Sequence, residues 1–592
     1  MGDLTIQPLD VKKAFDSVSH DAILKALESA GAPASFVNYI RDLYKYSNTQ
    51  ISVNGSVSEP ISVKRGVKQG DPLSCFLFNL VVDQCLRKLD TSLGVKLARE
   101  VRVNHLAYAD DVVLLAESPR NLNRLVQQYT LELSRVGLEV NAAKCATVNI
   151  RVHKRKAGTK WVVDSSSIVE IEGAAIPSLP ASEAYRYLGV GMGSRPKDDR
   201  KRQAASCHAL LEKQLNNISA ALLKPQQRLK TLREHLLPKL THQLVLVKPT
   251  KDLLMRLDVL VRRAVSKWLH LPHGSPVAYY HAPTAVGGLG IKSYMEHMWK
   301  LREKRLLKLL HYDAQVVDWL VRDSIWGRTN LNFLRCPAVP GGDGATTHAV
   351  VPCLSSAEKL HTAVDCKGLA HHTLVKAAHG WLLSDSTRVK GAEFVHSCQL
   401  RAGLIPTPAR KSRIYSTVSG FCEYCGGTTP ATLSHILQKC GKSHGQRVFR
   451  HDYVVKYLAG RLRQLGLEVL LEPHIVYAQS FRKPDIVAWG ADQSYIIDVA
   501  VTRDDEHPDS AHAAKVDWYD RGEITEWVKR VSGRNTCKVS GAVLNWRGAF
   551  SPASAALLKE LGLSKHDLQI MSMRTLAGGW AIWRAWCNTT WL

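Results

Sequence analysis

Residues 104–118, NHLAYADDVVLLAES, place two adjacent acids, Asp110 and Asp111, between two apolar runs. The runs predict two strands that meet at a tip, Ala109-Asp110-Asp111. Adjacent carboxylates repel each other, and a tight turn between apolar strands solvates them poorly. Asp is also a common turn residue, so the pair taken alone fits a plain turn equally well. A divalent cation would remove the repulsion. Mg²⁺ takes hard oxygen ligands and usually binds through one or two carboxylates together with substrate phosphates. A third carboxylate is then expected at the end of a neighbouring strand. LTIQPLDVKKAFDSV (4–18) reads as such a strand, with Asp10 at its end.

Working outward, HDAILKALESAGAP (20–33) predicts a helix with Ile23, Leu24 and Leu27 on one face, stopped by Gly31 and Pro33. TQISVNGSVSEPISV (49–63) alternates about Asn54-Gly55, a strong hairpin signal. RGVKQGDPLSCFLFNLVVDQCL (65–86) is a Gly-rich polar turn opening into an apolar helix. Five segments, LDVKKAFDSVSH, RGVKQGDPLSCFLFN, LAYADDVVLLAE, GLEVNAAKC and YRYLGV, resemble successive blocks of a reverse transcriptase palm, in the same order.

That resemblance implies that Asp10 and Asp110 are magnesium ligands and Asp111 a supporting acid. It implies that Phe15 crowds the sugar 2′-position and so selects deoxynucleoside triphosphates. Gln69 and Gly70 would lie against template and incoming nucleotide, and Lys144 would protonate the departing pyrophosphate. Tyr187, Leu188 and Gly189 would grip the primer end. Phe15 also fits an ordinary core aromatic, and Lys144 a solvated lysine. Reverse transcriptases carry fingers before the first palm aspartate. With Asp10 so near the start, the chain reads as an N-terminally incomplete fragment of a longer polyprotein, without the basic finger residues that hold the triphosphate and template.

The chain has 592 residues, 45% of them hydrophobic and 22% charged, which predicts several cored domains. Its net charge of +26 favours a polyanionic partner. The surplus is concentrated: residues 195–310 hold 23 basic and 8 acidic side chains. There LKTLREHLLPKL aligns Leu229, Leu232, Leu236 and Leu240, and LLMRLDVLVRRAVSKWL aligns Leu254, Leu257, Val261, Val265 and Trp268, with Arg and Lys on the other faces. A helical thumb gripping a duplex, or a helical bundle with a solvated basic face, fits this pattern. WLHLPHGSPVAYYHAPTAVGGLGI (268–291) is similar to a segment that follows the polymerase in site-specific non-LTR retrotransposons. No apolar run approaches the ~20 residues of a membrane span. Asp3 and the polar residues after it argue against a signal peptide. The 13 scattered cysteines argue for a reducing compartment.

PGGDGATTHAV (340–350) reads as a linker. Beyond it, FCEYCGGTTPATLSHILQKC spaces Cys422, Cys425, His435 and Cys440 as a four-ligand zinc knuckle, with His435 and Cys440 a turn apart on a helix and His444 a rival for the fourth place. A buried thiol cluster or a redox pair is the alternative.

FRKPDIVAWGADQSYIIDVAVTRDD (481–505) predicts two strands joined at Gly490 to Gln493, with Asp485 starting the first and Asp498 inside the second. HAAKVDWYDRGEITEWVKR predicts a following helix with Lys515 and Tyr519 a turn apart. The pattern resembles a restriction-enzyme-like nuclease in which Asp485 and Asp498 hold magnesium. The lysine usually found two residues after the second acid is here Ala500, so the resemblance assigns its role to Lys515, and DNA contacts to Arg482 and Lys483.

The whole order resembles the polyprotein of type-1 non-LTR retrotransposable elements that insert into ribosomal RNA genes. It implies an α+β multidomain chain: a palm without fingers (1–194), a helical thumb (195–325), a linker region (326–400), a zinc knuckle (401–445) and an α/β restriction-like endonuclease (446–592). The implied activity is RNA-directed DNA polymerase plus endonuclease, acting in the nucleus on element RNA and ribosomal DNA. An intron-maturase-like reverse transcriptase and a domesticated copy that only binds RNA are the competing readings.

Overall fold

A computed structural model describes residues 3–98, 101–155, 158–166, 168–193, 196–246, 249–312, 314–324, 356–383, 389–478 and 480–588. The linker motif at 340–350 and part of the preceding segment lie outside the described residues. The chain forms two compact units, one of Met1–Cys207, Gln243–Pro249 and Lys300–Pro337, the other of His208–His242, Thr250–Trp299 and Ala338–Leu592.

The first unit is built on an antiparallel sheet. Its strands are β1 (Leu4–Leu9), β2 (His105–Tyr108), β3 (Asp111–Ala116), β4 (Val148–Arg155) and β5 (Gly158–Val163), in the order β5-β4-β1-β3-β2. β1 pairs with β3 from Thr5↔Ala116 to Leu9↔Val112. Leu9, Val112, Leu114 and Ala116 therefore share one face, and all are buried against α1 (His20–Ser29), α2 (Pro72–Arg87) and α3 (Pro119–Arg135). Two polar residues on that face, Thr5 and Gln7, are bonded to the neighbouring strand. Thr5 Oγ1 donates to Asn149 Oδ1 at 3.1 Å, and Thr147 Oγ1 donates to Gln7 Oε1. Buried polar groups are tolerated when paired in this way.

α1 starts at the Ser19 cap, whose Oγ accepts from the Ala22 N–H, and stops at Gly31 with φ +75. α2 is capped by Asp71, with Pro72 at its first position. The Asn54-Gly55 hairpin forms with Val53 opposite Ser56 and both turn residues at positive φ.

In the second unit, Leu229, Leu232, Leu236 and Leu240 are buried, as are Leu254, Leu257, Val261, Val265 and Trp268. The first helix passes through a π turn at Leu232–Leu236, because Pro238 withholds the N–H that would bond Glu234. The described part of the expected linker region is folded rather than extended. Ser356–Thr362 and Gly391–Arg401 are helices, and Leu360, Leu369, Trp381 and Leu382 are core residues.

A second sheet has the order β6 (Glu468–Leu471), β7 (Ile486–Trp489), β8 (Ser494–Thr502) and β9 (Cys537–Asn545), antiparallel except for the parallel pair β8/β9. α4 (His444–Gln464) and α6 (Lys565–Asn588) cover one face through Val454, Leu458, Ile497, Val499 and Met571. Tyr519, Ile524 and Val528 cover the other, against Val487 and Ile496. The helix expected after β8 is two helices, α5 (Pro508–Tyr519) and Gly522–Ser532. They break at Asp520-Arg521, ahead of Gly522, which is a poor residue for a helix interior.

Candidate active sites and metal centre

The β1/β3 register assembles the first acidic site. Since Leu9 faces Val112, Asp10 and Asp111 are the next residues at the same end of the sheet. β2 and β3 close through Tyr108↔Asp111, so the hairpin turn is Ala109-Asp110 and Asp111 is the first strand residue rather than part of the tip. Ala109 sits at φ +55, a left-handed conformation that costs a residue with a Cβ about 1–3 kcal/mol. Burial, and then the charges of Asp110 and Asp10, hold the Asp111 carboxyl above the usual carboxylate range. The three acids thus feel one another.

Lys144, on the short turn Ala142–Lys144, brings Nζ to 3.6 Å from Asp10 Oδ2. Asp10 and Asp110 line an open cavity of about 650 Å³ with Lys12, Lys13, Arg65 and Lys144. These cations belong to the palm segments and are separate from the finger residues expected to be missing. The sequence signals were the Lys-Lys after Asp10 and the Arg opening the RGVKQG block.

Phe15 is half-buried and stacked on Phe78 with centroids 4.5 Å apart. Gln69 Nε2 donates to Asp16 Oδ1 at 3.1 Å, and Gly70 has φ +91 with open space around its Cα. The close approach that places this turn is at Gly66, where a Cβ would meet the Asp16 backbone at 2.8 Å. Tyr187, Leu188 and Gly189 form the turn of the hairpin Ala184–Tyr187/Val190–Gly193, with Leu188 and Gly189 both at positive φ. The Tyr187 hydroxyl donates to the Asp111 carbonyl at 3.3 Å, which ties this hairpin to the acids.

The Cys/His set closes as expected. Ligand atoms of Cys422, Cys425, His435 and Cys440 all lie within 4.8 Å of one another. Cys422 Sγ is 3.8 Å and Cys425 Sγ 3.9 Å from Cys440 Sγ, and Cys425 Sγ is 3.5 Å from His435 Nε2. A tetrahedral cation with ordinary metal–sulfur and metal–nitrogen bonds requires edges of about 3.8 and 3.6 Å. The four residues therefore fit a closed, four-ligand site.

Burial, then Lys439 and Arg447, keep the His435 ring below its ordinary value, the direction that favours the neutral form a ligand needs. His435 is in the helix Leu433–Gln438, whereas Cys440 lies beyond it, capping the turn Gly441–Ser443. The rival His444 is exposed and faces Arg447, with Nδ1 3.3 Å from Nη2.

The second acidic site spans β7, β8 and α5. Asp498 is only 4% exposed, and its Oδ2 lies 2.6 Å from Lys515 Nζ. Burial and the Asp485 charge push its carboxyl up, against the pull of Lys515 and of a Tyr519 hydrogen bond. The Tyr519 hydroxyl is also 3.1 Å from the Lys483 carbonyl oxygen, so its one proton is shared between two acceptors. Asp485 Oδ2 accepts from the Val499 N–H at 2.7 Å. Arg482 is stacked between Tyr477 and Trp518, 4.8 and 4.1 Å from the ring centroids, while Lys483 pairs with Glu472.

Sequence reasoning missed His451, on α4, whose Nε2 is 3.1 Å from Asp485 Oδ2. The available signal was a His-Asp pair on a helix, three and four residues before the buried Val454 and Val455.

The sheet, the acids at its end and the ordered turns define a reverse transcriptase palm, and residues 2–192 match the family of reverse transcriptases (RNA-dependent DNA polymerases). Relatives extend this over the rest of the chain. The Pol polyprotein from the type-2 retrotransposable element R2DM of Drosophila melanogaster is 35% identical over 591 residues, covering 97% of this chain and 53% of that protein. The type-1 R2 polyprotein of Nasonia vitripennis is 30% identical over 593 residues, covering 99% and 55%. An R2 polyprotein of Popillia japonica is 31% identical over 571 residues, covering 94% and 76%. The chain belongs to the Pol polyproteins of R2 retrotransposable elements, and it spans about half the length of the first two relatives. A Candida tropicalis telomerase structure aligns at 13% identity with a TM-score of 0.24 over 55% of this chain and 50% of that one, a likeness too slight to bear on the fold. No helix among the described residues is long and apolar enough to cross a membrane.

Proposed function

We propose that the chain carries out target-primed reverse transcription. Its restriction-like endonuclease nicks chromosomal DNA, and its polymerase extends the freed 3′-hydroxyl by copying element RNA with deoxynucleoside triphosphates. The observation that carries the reading is the presence of two separate carboxylate centres, one at the end of the palm sheet and one on a second α/β sheet.

In the palm, Asp10 and Asp110 would hold Mg²⁺, with Asp111 adding to the field. Bound there, the ions supply charge neutralisation at the α-phosphate and at the attacking 3′-oxygen. The chain's own residues position and select. Phe15, braced by Phe78, closes the space beside the sugar 2′-carbon. Gln69 and Gly70 lie against template and nucleotide, and the Tyr187-Leu188-Gly189 turn seats the primer end. Lys144 is placed to give a proton to the pyrophosphate. Positioning and charge stabilisation of this kind supply most of the rate of phosphoryl transfer.

In the nuclease, Asp485 and Asp498 would share a Mg²⁺, and Lys515 would orient the attacking water toward the scissile phosphate. Zn²⁺ is the cation for Cys422, Cys425, His435 and Cys440, since a closed thiolate–imidazole tetrahedron is its structural site. Within this scheme residues 1–194 serve as palm, 195–325 as a basic thumb on the duplex, 326–400 as the connection, 401–445 as the knuckle and 446–592 as the nuclease. Ribosomal RNA genes are the proposed target, and the nucleus the place of action.

The test is one assay on this chain and on a version extended to the length of its relatives. Element RNA, a ribosomal DNA duplex, deoxynucleoside triphosphates and Mg²⁺ are combined, and a nick followed by extension from that nick is expected. Extension from random ends with no nick would refute target priming.

A further inference from the structure

The nuclease scheme assigns no task to His451, yet this side chain is built into the acid pair. Its Nε2 lies 3.1 Å from Asp485 Oδ2 and 3.0 Å from the Val499 carbonyl oxygen, and its Nδ1 lies 3.2 Å from Asp452 Oδ1. The Val499 N–H donates to the same Asp485 Oδ2 at 2.7 Å. Two donors from two elements, α4 and β8, therefore converge on one carboxylate oxygen. The other oxygen, Oδ1, accepts no hydrogen bond among the described residues. A carboxylate gripped on one oxygen from two directions cannot turn about its Cβ–Cγ bond. Val499 adjoins Asp498, so the backbone step that follows the second acid also grips the first.

A core histidine that merely satisfies itself needs one acceptor and one donor. This one faces a carboxylate at each ring nitrogen, and one of those carboxylates is in the proposed cation site.

We propose that His451 is a positioning residue of the nuclease centre: held by Asp452, it clamps Asp485 through Oδ2 so that Oδ1 is left to face the cation. The inference rests on the nuclease reading of Asp485 and Asp498. Its effect passes through Asp485, not through contact with DNA. Groups that orient a metal ligand from behind typically change metal affinity or activity by about 10- to 100-fold when removed.

The experiment is a Mg²⁺ titration of nicking by the full chain on an end-labelled ribosomal DNA duplex. His451→Ala should need about 10- to 100-fold more Mg²⁺ for half-maximal nicking and approach the wild-type rate at saturation. His451→Gln, whose side-chain amide can donate to Oδ2, should return most of that shift. Binding of the duplex without Mg²⁺ should be the same for all three proteins.

A His451→Ala curve with an unchanged Mg²⁺ midpoint and a uniformly lower plateau would mean a structural stitch and overturn the clamp. So would a His451→Gln protein no better than Ala. Wild-type chain that does not nick, or Asp498→Ala that nicks as wild type does, would overturn the nuclease reading itself. The two failures are thus read from different proteins.

Discussion

The two carboxylate centres solve the same electrostatic problem in opposite ways. In the palm, Asp10, Asp110 and Asp111 gather at a sheet end that opens on a cavity of about 650 Å³. Of the cations lining that cavity, Lys144 is the one paired with an acid of the centre, exposed and 3.6 Å from Asp10. Asp110 and Asp111 have no ion-pair partner among the described residues, and Asp111 is held above the usual range by burial and by its two neighbours. On the second sheet each acid has its own cationic partner in direct contact: Lys515 with Asp498 at 2.6 Å and His451 with Asp485 at 3.1 Å. Burial pulls the His451 ring down, but Asp485 and Asp452 outweigh it and lift it to about 9. Acids left without ion-pair partners suit the proposed polymerase role, in which cations would arrive with a triphosphate. Internal pairing suits a site buried under a helix, where unpaired charge would unfold the domain.

The sharpest way to break this contrast is to remove one acid from each centre. Asp110→Ala should lower primer extension by about 10²–10³-fold or more and leave nicking unchanged, whereas Asp498→Ala should do the reverse on the same protein preparation. Extension is scored on a pre-nicked target and nicking without nucleotides. Loss of both activities in either variant would show that the centres do not work independently.

The knuckle should belong to the second centre only. Gln438 Nε2 donates to the carbonyl of Thr502 at the end of β8 at 2.8 Å, and Arg450, next to His451, donates to Gln438 Oε1 at 3.2 Å. Elemental analysis should find one zinc per chain, absent in Cys422→Ser, and that variant should lose about tenfold or more in nicking before extension suffers. Equal loss of both activities would detach the knuckle from the nuclease.

Acid should weaken the second compact unit, which contains a buried histidine pair. His372 and His379 are buried, and neither ring nitrogen of His379 has a hydrogen-bond partner among the described residues. They are held well below their ordinary value by burial first, and then by the cations around them. Their folded pKa values are depressed while the unfolded value is near 6.5, so the unfolded state binds protons first. The stability they allow is present above about pH 6.5 and lost as pH falls below it, by roughly 1.4 kcal/mol per pH unit for each ring. Denaturant midpoints followed through tryptophan fluorescence should drop between pH 7 and 5.5, and His379→Phe should halve the slope.

What was legible in the sequence follows the same divide. Asp10, Asp110 and Asp111 were readable because each sits at a strand end or hairpin tip, where period-2 alternation and turn residues announce the geometry. The knuckle was readable because its four ligands fall within a span of 19 residues. His451 was not, because its partner is 34 positions away and a pairing of helix to strand leaves no local period. The break at Gly522 was hidden because apolar residues continue at helical spacing across it. The folding of residues 356–401 was hidden because short 3₁₀ turns such as Lys367–Thr373 and Lys376–Leu382 carry neither a helix nor a strand period.

The smallest effects should come from the two lysines, and they test the contrast most directly. Lys144 forms an exposed pair with Asp10, so Lys144→Ala should shift stability by no more than ~1 kcal/mol, within the range of surface ion pairs. Lys515 is itself part-exposed, but its partner Asp498 is buried, and Lys515→Ala leaves that carboxylate without its closest cation. Breaking a buried pair costs about 3–5 kcal/mol, and the solvent reaching Lys515 reduces this to roughly 2 kcal/mol. The double variant Lys515→Ala/Asp498→Asn should recover most of that loss, because it removes the stranded charge along with its partner. Urea midpoints of the three proteins decide the matter. If Lys144→Ala proves as costly as Lys515→Ala, Asp10 is as dependent on its lysine as Asp498 is, and the difference in how the two centres manage charge disappears.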